Sequence, residues 1–325
     1  MPQPLNILTL ATGKKLFIDM AVNLARSFSL WNKGSDINFY IATDLQEFVP
    51  ADVKAFTQII TLQPNEFGVG FSPKLYLDKL APAGQTLFID SDCLVYGNLL
   101  PVFEKFKGHQ VSVVGSYIAT GEWFGDVATI CKKYQVPHLP KFNGGIYYLE
   151  NGPVAAQVYA TAPELETQYD DIGFVRLRGR PNDEVLMALA MALHKQEPID
   201  DDGTILAEFV NFQSGITSDV IKGVAELYNK PGHPNYQPKW PLTLARPLIV
   251  HFLGHHNKTL PYTKETKLLE YLFNKKHSLN IARILTSLQI TLPTQTVTWV
   301  KQLFRPLYHL LLGARKIKPS ERVIK

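Results

Sequence analysis

The first hundred residues alternate short apolar runs with segments of helical periodicity, and this alternation constrains the fold more than any other feature. Strand-like runs occupy residues 5–10, 37–43, 56–62 and 86–90. Between the first two, apolar residues from Phe17 to Phe28 recur at helical spacing. Because parallel strands need long crossover connections, usually helices, the pattern predicts an α/β fold with a mostly parallel central sheet flanked by helices.

Composition excludes several classes of protein. With 325 residues and 46% hydrophobic content, the chain can bury a sizeable core, as one large domain or two. A net charge of +4 is too small to indicate a nucleic-acid partner. The two cysteines, Cys93 and Cys131, form no CxxC motif, which favours a reduced, cytoplasmic setting. Residues 1–13 lack a basic stretch before their apolar run, so we interpret that run as a first strand rather than a signal peptide.

Later segments extend the strand and helix pattern. Asn182 precedes an apolar helical segment and is its predicted N-cap. The stretch 117–142 is rich in Gly, Pro and aromatic residues, which is typical of a lid or a substrate-facing insertion. The predicted strands are 111–116, 144–150 and 247–254, and the predicted helices are 73–80 (capped by Ser72), 153–169 and 181–194.

The segment TLFIDSDCLV places two aspartates directly after a buried strand. In an open α/β sheet, ligands bind at the carboxyl ends of the strands, so Asp90 and Asp92 should face that crevice. Two like charges on one side of the chain repel each other, and a divalent cation would relieve that repulsion. Oxygen ligands suit Mg²⁺ or Mn²⁺, and a nearby imidazole would favour Mn²⁺. A surface turn in which one aspartate caps the next element is the alternative.

The segment LIVHFLGHHNK places His251 at the end of another strand. Gly254 would let the backbone approach a phosphate, and Lys258 would set a cation against it. The alternative is a buried core histidine with no ligand.

The segment KFNGGIYYLEN places Asn143, Gly144 and Gly145 before a strand. Here the backbone would lie close enough to a sugar for Asn143 to form a hydrogen bond with it. The alternative is a simple turn.

The chain resembles glycosyltransferase family 8 in five segments that follow one another in the family's order. These segments are TLATG, FIDSD, FNGGI, NDE and HFLGHHNK. This family includes the glycogenins and bacterial lipopolysaccharide galactosyl- and glucosyltransferases, and the resemblance spans residues 5–258. It implies a GT-A type nucleotide-diphospho-sugar transferase fold, with a catalytic domain over residues 1–260 and a helical C-terminal extension over residues 261–325.

The resemblance also implies roles for individual residues. Residues 10–13 would line the base and ribose pocket, Ser91 would lie beside the ribose, and Lys74 would meet the phosphates or the acidic pair. The implied metal ligands are Asp90, Asp92 and His251. The implied nucleotide and diphosphate contacts are Leu10, Ala11, Thr12, Gly13, Lys74, Ser91, Gly254 and Lys258. The implied donor-sugar contacts are Asn143, Gly144, Gly145 and Asp183, and the catalytic candidates are Asn182 and Asp183.

The chain departs from the family pattern at three places. The family's H-x-x-G-x-x-K-P-W gains one residue before Lys258 and loses the Pro-Trp, so His256 or Asn257 is an alternative phosphate contact. Asn182-Asp183 stands where relatives commonly have D-Q, and Gly144 stands where they have serine.

The implied reaction is transfer of a hexose, with retention of configuration, from a UDP-sugar to a hydroxyl of a saccharide, glycolipid or protein. The cofactor would be Mn²⁺, with Mg²⁺ as the alternative. Asp183 would bind the sugar or act as a nucleophile, although acids at a helix start also serve as caps. Two other functions stay open: a metal-dependent nucleotidyltransferase and a non-catalytic nucleotide-sugar-binding protein.

The last segment, from Trp299 onward, interleaves leucine and aromatic residues with basic ones. It predicts either an amphipathic helix on an anionic membrane surface, with peripheral location at the inner membrane face, or a terminal helix docked on its own domain. The membrane alternative favours a lipid-linked acceptor. Nothing in the sequence indicates an oligomeric state. The charged residues of this segment are Lys301, Arg305, Arg315, Lys316, Lys318, Arg322 and Lys325, against Glu321.

Overall fold

The computed structural model describes residues 3–313, which form two compact units, residues 3–253 and residues 254–313. The predicted boundary between residues 260 and 261 falls within the second unit. The basic residues from Arg315 to Lys325 lie outside the described residues. Within residues 3–313, no helix is both long and apolar enough to cross a membrane.

The first unit combines strands with helices, as the alternation predicts. Its strands are β1 (Leu5–Leu10), β2 (Ile37–Thr43), β3 (Gln58–Thr61), β4 (Gln85–Ile89), β5 (Cys93–Val95), β6 (Val111–Ser112), β7 (Val114–Ile118), β8 (Leu139–Phe142), β9 (Ile146–Glu150), β10 (Ile199–Asp200), β11 (Leu206–Glu208), β12 (Gly215–Asp219), β13 (Val224–Tyr228), β14 (Leu244–Ala245) and β15 (Ile249–His251). Its helices are α1 (Lys15–Asn32), α2 (Ala51–Lys54), α3 (Leu77–Leu80), α4 (Leu100–Lys105), α5 (Val127–Tyr134), α6 (Pro153–Thr167), α7 (Tyr169–Ile172) and α8 (Asp183–Leu193), with short 3-10 helices at Gln46–Phe48 and Ser72–Tyr76.

The central sheet has the strand order β3-β2-β1-β4-β9-β6. Strands β3, β2, β1 and β4 are parallel to one another, whereas β9 is antiparallel to both of its neighbours. The sheet is therefore mixed, and the first ninety residues build its parallel part. Since parallel strands end on the same side, the residues that follow Leu10, Thr43 and Ile89 share one edge of the sheet. Three smaller sheets have the orders β10-β7-β8, β11-β15-β5 and β12-β13-β14.

Alternate residues of the central strands pack into two apolar layers. Leu8 and Phe88 belong to the layer that contains α6 and α8. Ile7 and Leu87 belong to the opposite layer, which contains α1. Full burial of one such side chain contributes about 1.5–3 kcal/mol, so both faces of the sheet contribute to stability. This double cover is the arrangement expected for a sheet with parallel crossovers.

The structure differs from the sequence prediction at Ser72 and in the run 111–116. Ser72 lies inside the 3-10 helix and does not cap it; its hydroxyl instead hydrogen-bonds Glu166. The run 111–116 is not one strand, because β6 pairs with β9 in the central sheet while β7 pairs with β8 and β10 in a small sheet. Both differences arise from pairing between segments far apart in sequence, which local patterns do not encode.

The second unit is helical, as predicted for the C-terminal extension. A 3-10 helix, His256–Lys258, precedes α9 (Tyr262–Phe273), α10 (Leu279–Thr286), a π-helical turn (Ser287–Thr291) and α11 (Leu292–Leu312). Helix α9 buries Leu268 and Leu269. By contrast, every residue from 292 to 311 in α11 is exposed.

Candidate functional site

The edge where the parallel strands end gathers the predicted site residues of the first unit. Asp90 follows β4 directly, and the backbone N–H of Asp90 donates to the carbonyl of Gly145 at 2.9 Å. Because β9 runs antiparallel to β4, with Ile146 opposite Ile89, the loop before β9 is brought to this same edge. Two segments more than fifty residues apart in sequence thus meet here.

A separate strand pair brings His251 to the aspartates. Cys93, the first residue of β5, pairs with His251 at the end of β15, and the N–H of Phe252 donates to the carbonyl of Asp92 at 3.0 Å. His251 Nε2 consequently lies 3.0 Å from Asp92 Oδ1 and 3.7 Å from Asp90 Oδ2. His251 is buried and both carboxylates are largely so.

Asn143 fixes the orientation of this imidazole. Its Oδ1 lies 2.7 Å from His251 Nδ1 and also accepts from the backbone N–H of Gly145 at 3.0 Å. An oxygen that already accepts from an N–H accepts again from Nδ1, so Nδ1 carries the proton. In neutral His251, the lone pair is then on Nε2, the nitrogen that faces the two carboxylates.

Glycine is required beside this imidazole. A Cβ on Gly145 would lie 2.6 Å from His251 Nδ1 and 3.1 Å from Asn143 Oδ1. Any other residue at this position would displace the histidine or its partner. The second glycine of the pair, Gly144, lies against the start of α8, where a Cβ would be 3.0 Å from Asp183 Oδ2.

Lys74 links the metal-site candidates to the start of α8. Its Nζ lies 2.7 Å from Asp90 Oδ2 and 3.6 Å from Asp183 Oδ2, and it donates to the carbonyl of Gly144 at 2.8 Å. The resemblance left two partners open for this lysine, the phosphates or the acidic pair. In the structure, it pairs with the acidic residues.

The electrostatics of the cluster keep Lys74 charged. Burial alone would lower the pKa of Lys74, but Asp183 and Asp90 more than offset that effect and raise it. Burial raises the pKa of Asp90 despite its pairing with Lys74, whereas His251 holds the pKa of Asp92 below its usual value against the effect of burial. Burial would also lower the pKa of His251, but Asp92 raises it.

Asn182 and Asp183 have different surroundings at the start of α8. The side chain of Asn182 accepts from the N–H of Glu184 at 3.1 Å, so its predicted capping role is confirmed. Such a cap typically contributes about 1 kcal/mol. Asp183 is buried, and its Oδ2 accepts from the hydroxyl of Tyr147 at 2.6 Å. Glu184 accepts from the N–H of Gly144 at 2.9 Å, which fastens α8 to the loop before β9.

The charges and donor atoms of this cluster suit a bound divalent cation. The cluster holds three carboxylates, of Asp90, Asp92 and Asp183, against the one ammonium of Lys74, which lies beside Asp90 and Asp183. With His251 neutral, this leaves an excess of two negative charges when all three carboxyl groups are ionised. Carboxylate oxygens and an imidazole nitrogen are ligands for Mn²⁺ or Mg²⁺, and the nitrogen favours Mn²⁺.

The thiol of Cys93 also lies close, since ligand atoms of Asp92, Cys93 and His251 are within 4.8 Å of one another. Burial, with Asp92 and Asp90, raises the pKa of Cys93 well above its usual value, so the sulfur stays protonated and is the weaker ligand.

The remaining predicted residues occupy two places. Ala11 is buried after β1, while Gly13, with φ of +75°, donates its N–H to Asp44 Oδ1 at 2.9 Å. Leu10 and Thr12 are half-buried in that segment, and Ser91 is half-buried between the two aspartates. These residues therefore lie at the ends of parallel strands β1 and β4. Their contacts with a nucleotide stay predictions.

Gly254 and Lys258 belong to the second unit. Gly254 has φ of +68°, and Lys258 ends the 3-10 helix. Of the two alternatives to Lys258, His256 has its pKa lowered to about 4 by burial and by His255, so it is uncharged near pH 7. Asn257, the other alternative, lies in the same short helix. Their roles toward a diphosphate stay predictions.

Sequence reasoning missed Tyr147, Glu184 and Cys93. In the sequence, Tyr147 and Tyr148 are two adjacent tyrosines of a predicted strand. Only the pairing of β9 with β4 shows that Tyr147 is the one that faces Asp183. Glu184 reads as a dipole-compensating acid in the first turn of a helix. For Cys93, the one sequence feature that indicated a place in the site was its position next to Asp92.

Comparison with known proteins identifies the fold. No model of a known protein family matches the chain, and no curated protein sequence matches it. The galactosyltransferase LgtC, solved with donor and acceptor sugar analogs, superposes with a TM-score of 0.51 and 14% identity over 77% of this chain and 87% of that chain. An active-site mutant of LgtC gives a TM-score of 0.51 and 14% identity over 77% and 88% of the two chains. Mouse xyloside xylosyltransferase 1, in its apo form, gives 0.49 and 14% over 79% and 99%. The LgtC structures show that the chain has the GT-A glycosyltransferase fold, an α/β fold with a mixed sheet.

Proposed function

We propose that this chain is a Mn²⁺-dependent hexosyltransferase of glycosyltransferase family 8, which transfers a hexose from a UDP-sugar to an acceptor hydroxyl with retention of configuration. The observation that carries the proposal is the convergence of Asp90, Asp92 and His251 at the edge where the parallel strands end. The LgtC structures support it, because one of them was solved with donor and acceptor sugar analogs.

Asp90, Asp92 and His251 would hold the cation. When bound there, it supplies positive charge where a departing diphosphate gathers negative charge. Asn143 keeps His251 in the tautomer that offers Nε2, as in metal sites where a neighbouring acceptor orients each histidine. Mg²⁺ is the alternative ion, and the imidazole nitrogen makes Mn²⁺ the better match.

Lys74 and Asp183 prepare the donor side of the site. Lys74 remains an ammonium between Asp90 and Asp183, and it holds both carboxylates in place. Asp183 Oδ2 is already bonded to Tyr147 and faces Lys74, so we assign to Asp183 the binding of the donor sugar rather than attack on the anomeric carbon. The acceptor proton can pass to the departing phosphate oxygen, and no dedicated strong base is required.

The acceptor is proposed only at the level of its chemical class. A saccharide or glycolipid is the proposed acceptor, and a protein hydroxyl remains an alternative. The absence of a disulfide framework in the sequence supports a cytoplasmic location, where nucleotide sugars are available as donors.

The decisive experiment offers the full chain a panel of nucleotide sugars, with Mn²⁺ or with a chelator, and measures release of nucleoside diphosphate. We expect release from at least one UDP-hexose in Mn²⁺ and none with chelator. Asp92→Asn should lower the rate on the order of 10²-fold or more, because an anionic ligand is lost. Asp171→Asn makes the same chemical change at an exposed site and should leave the rate unchanged.

Other products would assign other functions. Pyrophosphate release would identify a nucleotidyltransferase. Donor binding with Mn²⁺ but without any turnover would identify a nucleotide-sugar-binding protein. Equal turnover in chelator and in Mn²⁺ would refute the metal site.

A further inference from the structure

Helix α11 is amphipathic, yet its apolar half has no cover among the described residues. All residues from 292 to 311 are exposed, including Leu310 at 82% and Leu311 at 72%. At about 100° per residue, the apolar side chains fill roughly half of the helix circumference, interrupted by Thr296 alone. The other half carries Lys301, Arg305 and His309 with glutamines and threonines. Such a face requires a partner, because soluble proteins rarely expose a contiguous apolar surface of this length.

Aromatic residues mark the two borders of this apolar face. Trp299 lies at one border and Tyr308 at the other, with exposures of 63% and 50%. Trp and Tyr are enriched where an apolar phase meets water, since each has an apolar ring and a polar group. Lys301 lies next to the Tyr308 border, from which its long side chain can reach outward along the polar side.

Charge along the chain indicates the chemistry of the partner. Ten of the 33 Lys and Arg residues lie after Glu270, but only one of the 29 acidic residues does. That end of the chain therefore carries +9, while residues 1–270 carry −5. A polybasic segment next to an exposed apolar helix face matches an anionic lipid surface, which attracts Lys and Arg side chains electrostatically.

We propose that α11 lies in the surface of an anionic lipid bilayer, with its apolar face among the acyl chains and its basic residues at the headgroups. The helix lies on the membrane rather than across it, because it is not apolar enough to span. This interaction is independent of the proposed transferase activity, since none of the candidate metal ligands takes part in it.

A second copy of the chain fits this face less well. A two-stranded coiled coil covers a narrow seam at every third to fourth residue, whereas this apolar face spans about half of the circumference. Two copies would also bring two segments of +9 together without acidic residues to pair with them.

Co-sedimentation of the full chain with vesicles tests the proposal. We expect binding to phosphatidylcholine vesicles that contain anionic phosphatidylglycerol, and little binding to phosphatidylcholine alone. Leu303→Ser with Leu307→Ser should weaken binding on the order of 10²-fold or more, because two leucines lose their burial. The matched control, Gln295→Ser with Gln302→Ser, places the same residue on the polar side and should bind as the wild type does. Lys301→Gln with Arg305→Gln should weaken binding roughly 30-fold.

A depth measurement identifies the face that meets the lipid. Vesicles with brominated acyl chains should quench the fluorescence of Trp299, and Trp299→Phe should abolish the quenching. Equal binding of the leucine variant and its control would overturn the proposal. So would a lack of sedimentation, or a dimer seen by analytical ultracentrifugation without lipid that the leucine variant abolishes.

Discussion

The candidate site and helix α11 each depart from the usual distribution of charged and apolar residues between interior and surface, and they do so in opposite ways. At the sheet edge, charged groups are buried: Asp183 is 3% exposed and Lys74 is 14% exposed. In α11, leucine and aromatic side chains are in water. Each region carries a free-energy cost that a partner can offset, a cation for the first and an apolar surface for the second. The two regions should differ in how they respond to a changed side chain, and four variants measure that difference.

The largest expected effect is on the stability of the buried cluster. Lys74→Met removes the ammonium between Asp90 and Asp183, leaving buried carboxylates without their cation. Loss of one partner from a buried pair costs about 3–5 kcal/mol, so we expect the free energy of unfolding of the apo protein to fall by that amount. Urea denaturation followed by circular dichroism gives the value.

The control for Lys74 is Lys107→Met. The side chain of Lys107 is 78% exposed and pairs with Glu104 at 3.8 Å, so its loss should change stability by less than about 0.5 kcal/mol. If Mn²⁺ binds the cluster, it should also recover part of the stability that Lys74→Met loses. Similar unfolding curves for both variants would show that the buried charges are not coupled.

The second effect is on turnover. Asp183→Asn keeps an oxygen for the Tyr147 hydroxyl but removes the charge that faces Lys74. In the proposed site, that charge also binds the donor sugar. We expect sugar transfer to fall about 10²–10³-fold while affinity for the nucleoside diphosphate stays nearly constant. Steady-state rates and calorimetric titration with UDP separate the two quantities. Full activity in the variant would remove Asp183 from the mechanism.

The third effect tests the contribution of the His251 imidazole to Mn²⁺ affinity. Gly145→Ala puts a methyl group 2.6 Å from His251 Nδ1 and should weaken Mn²⁺ binding about 10–100-fold, as is typical when the group that orients a ligand is disturbed. Gly152→Ala is the matched control, because its Cβ would meet nothing closer than 4.0 Å. Electron paramagnetic resonance of free Mn²⁺ measures both affinities. Equal affinities would place the ion away from His251.

Local elements of both regions were predictable from sequence. The strand Ile37–Thr43 and the helix capped by Asn182 match the predictions, because apolar periodicity and capping chemistry are local properties. The amphipathic pattern after Trp299 also predicted a helix, and α11 confirms that helix up to Leu312. Its surface contacts were not predictable, since burial depends on what packs against the helix.

The assembly of the site was only partly predictable. Strand ends placed Asp90 and Asp92 at a ligand-binding edge, but the approach of His251 came from family resemblance. In the structure, it depends on the antiparallel pairing of β5 with β15, whose register no local pattern encodes. For the same reason, the Tyr147–Asp183 hydrogen bond was missed, and the single helix predicted for residues 73–80 is a 3-10 helix followed by one turn of α-helix.

The smallest expected effect completes the comparison. Leu303→Ser with Leu307→Ser removes two large apolar side chains, which would cost several kcal/mol in a core. In α11 these leucines are 58% and 53% exposed, so without lipid the free energy of unfolding should change by no more than about 0.5 kcal/mol. Urea denaturation in the absence and presence of anionic vesicles measures the change. A loss of 2 kcal/mol or more without lipid would mean that α11 packs on protein, and its apolar face would then belong to the core rather than to a membrane surface.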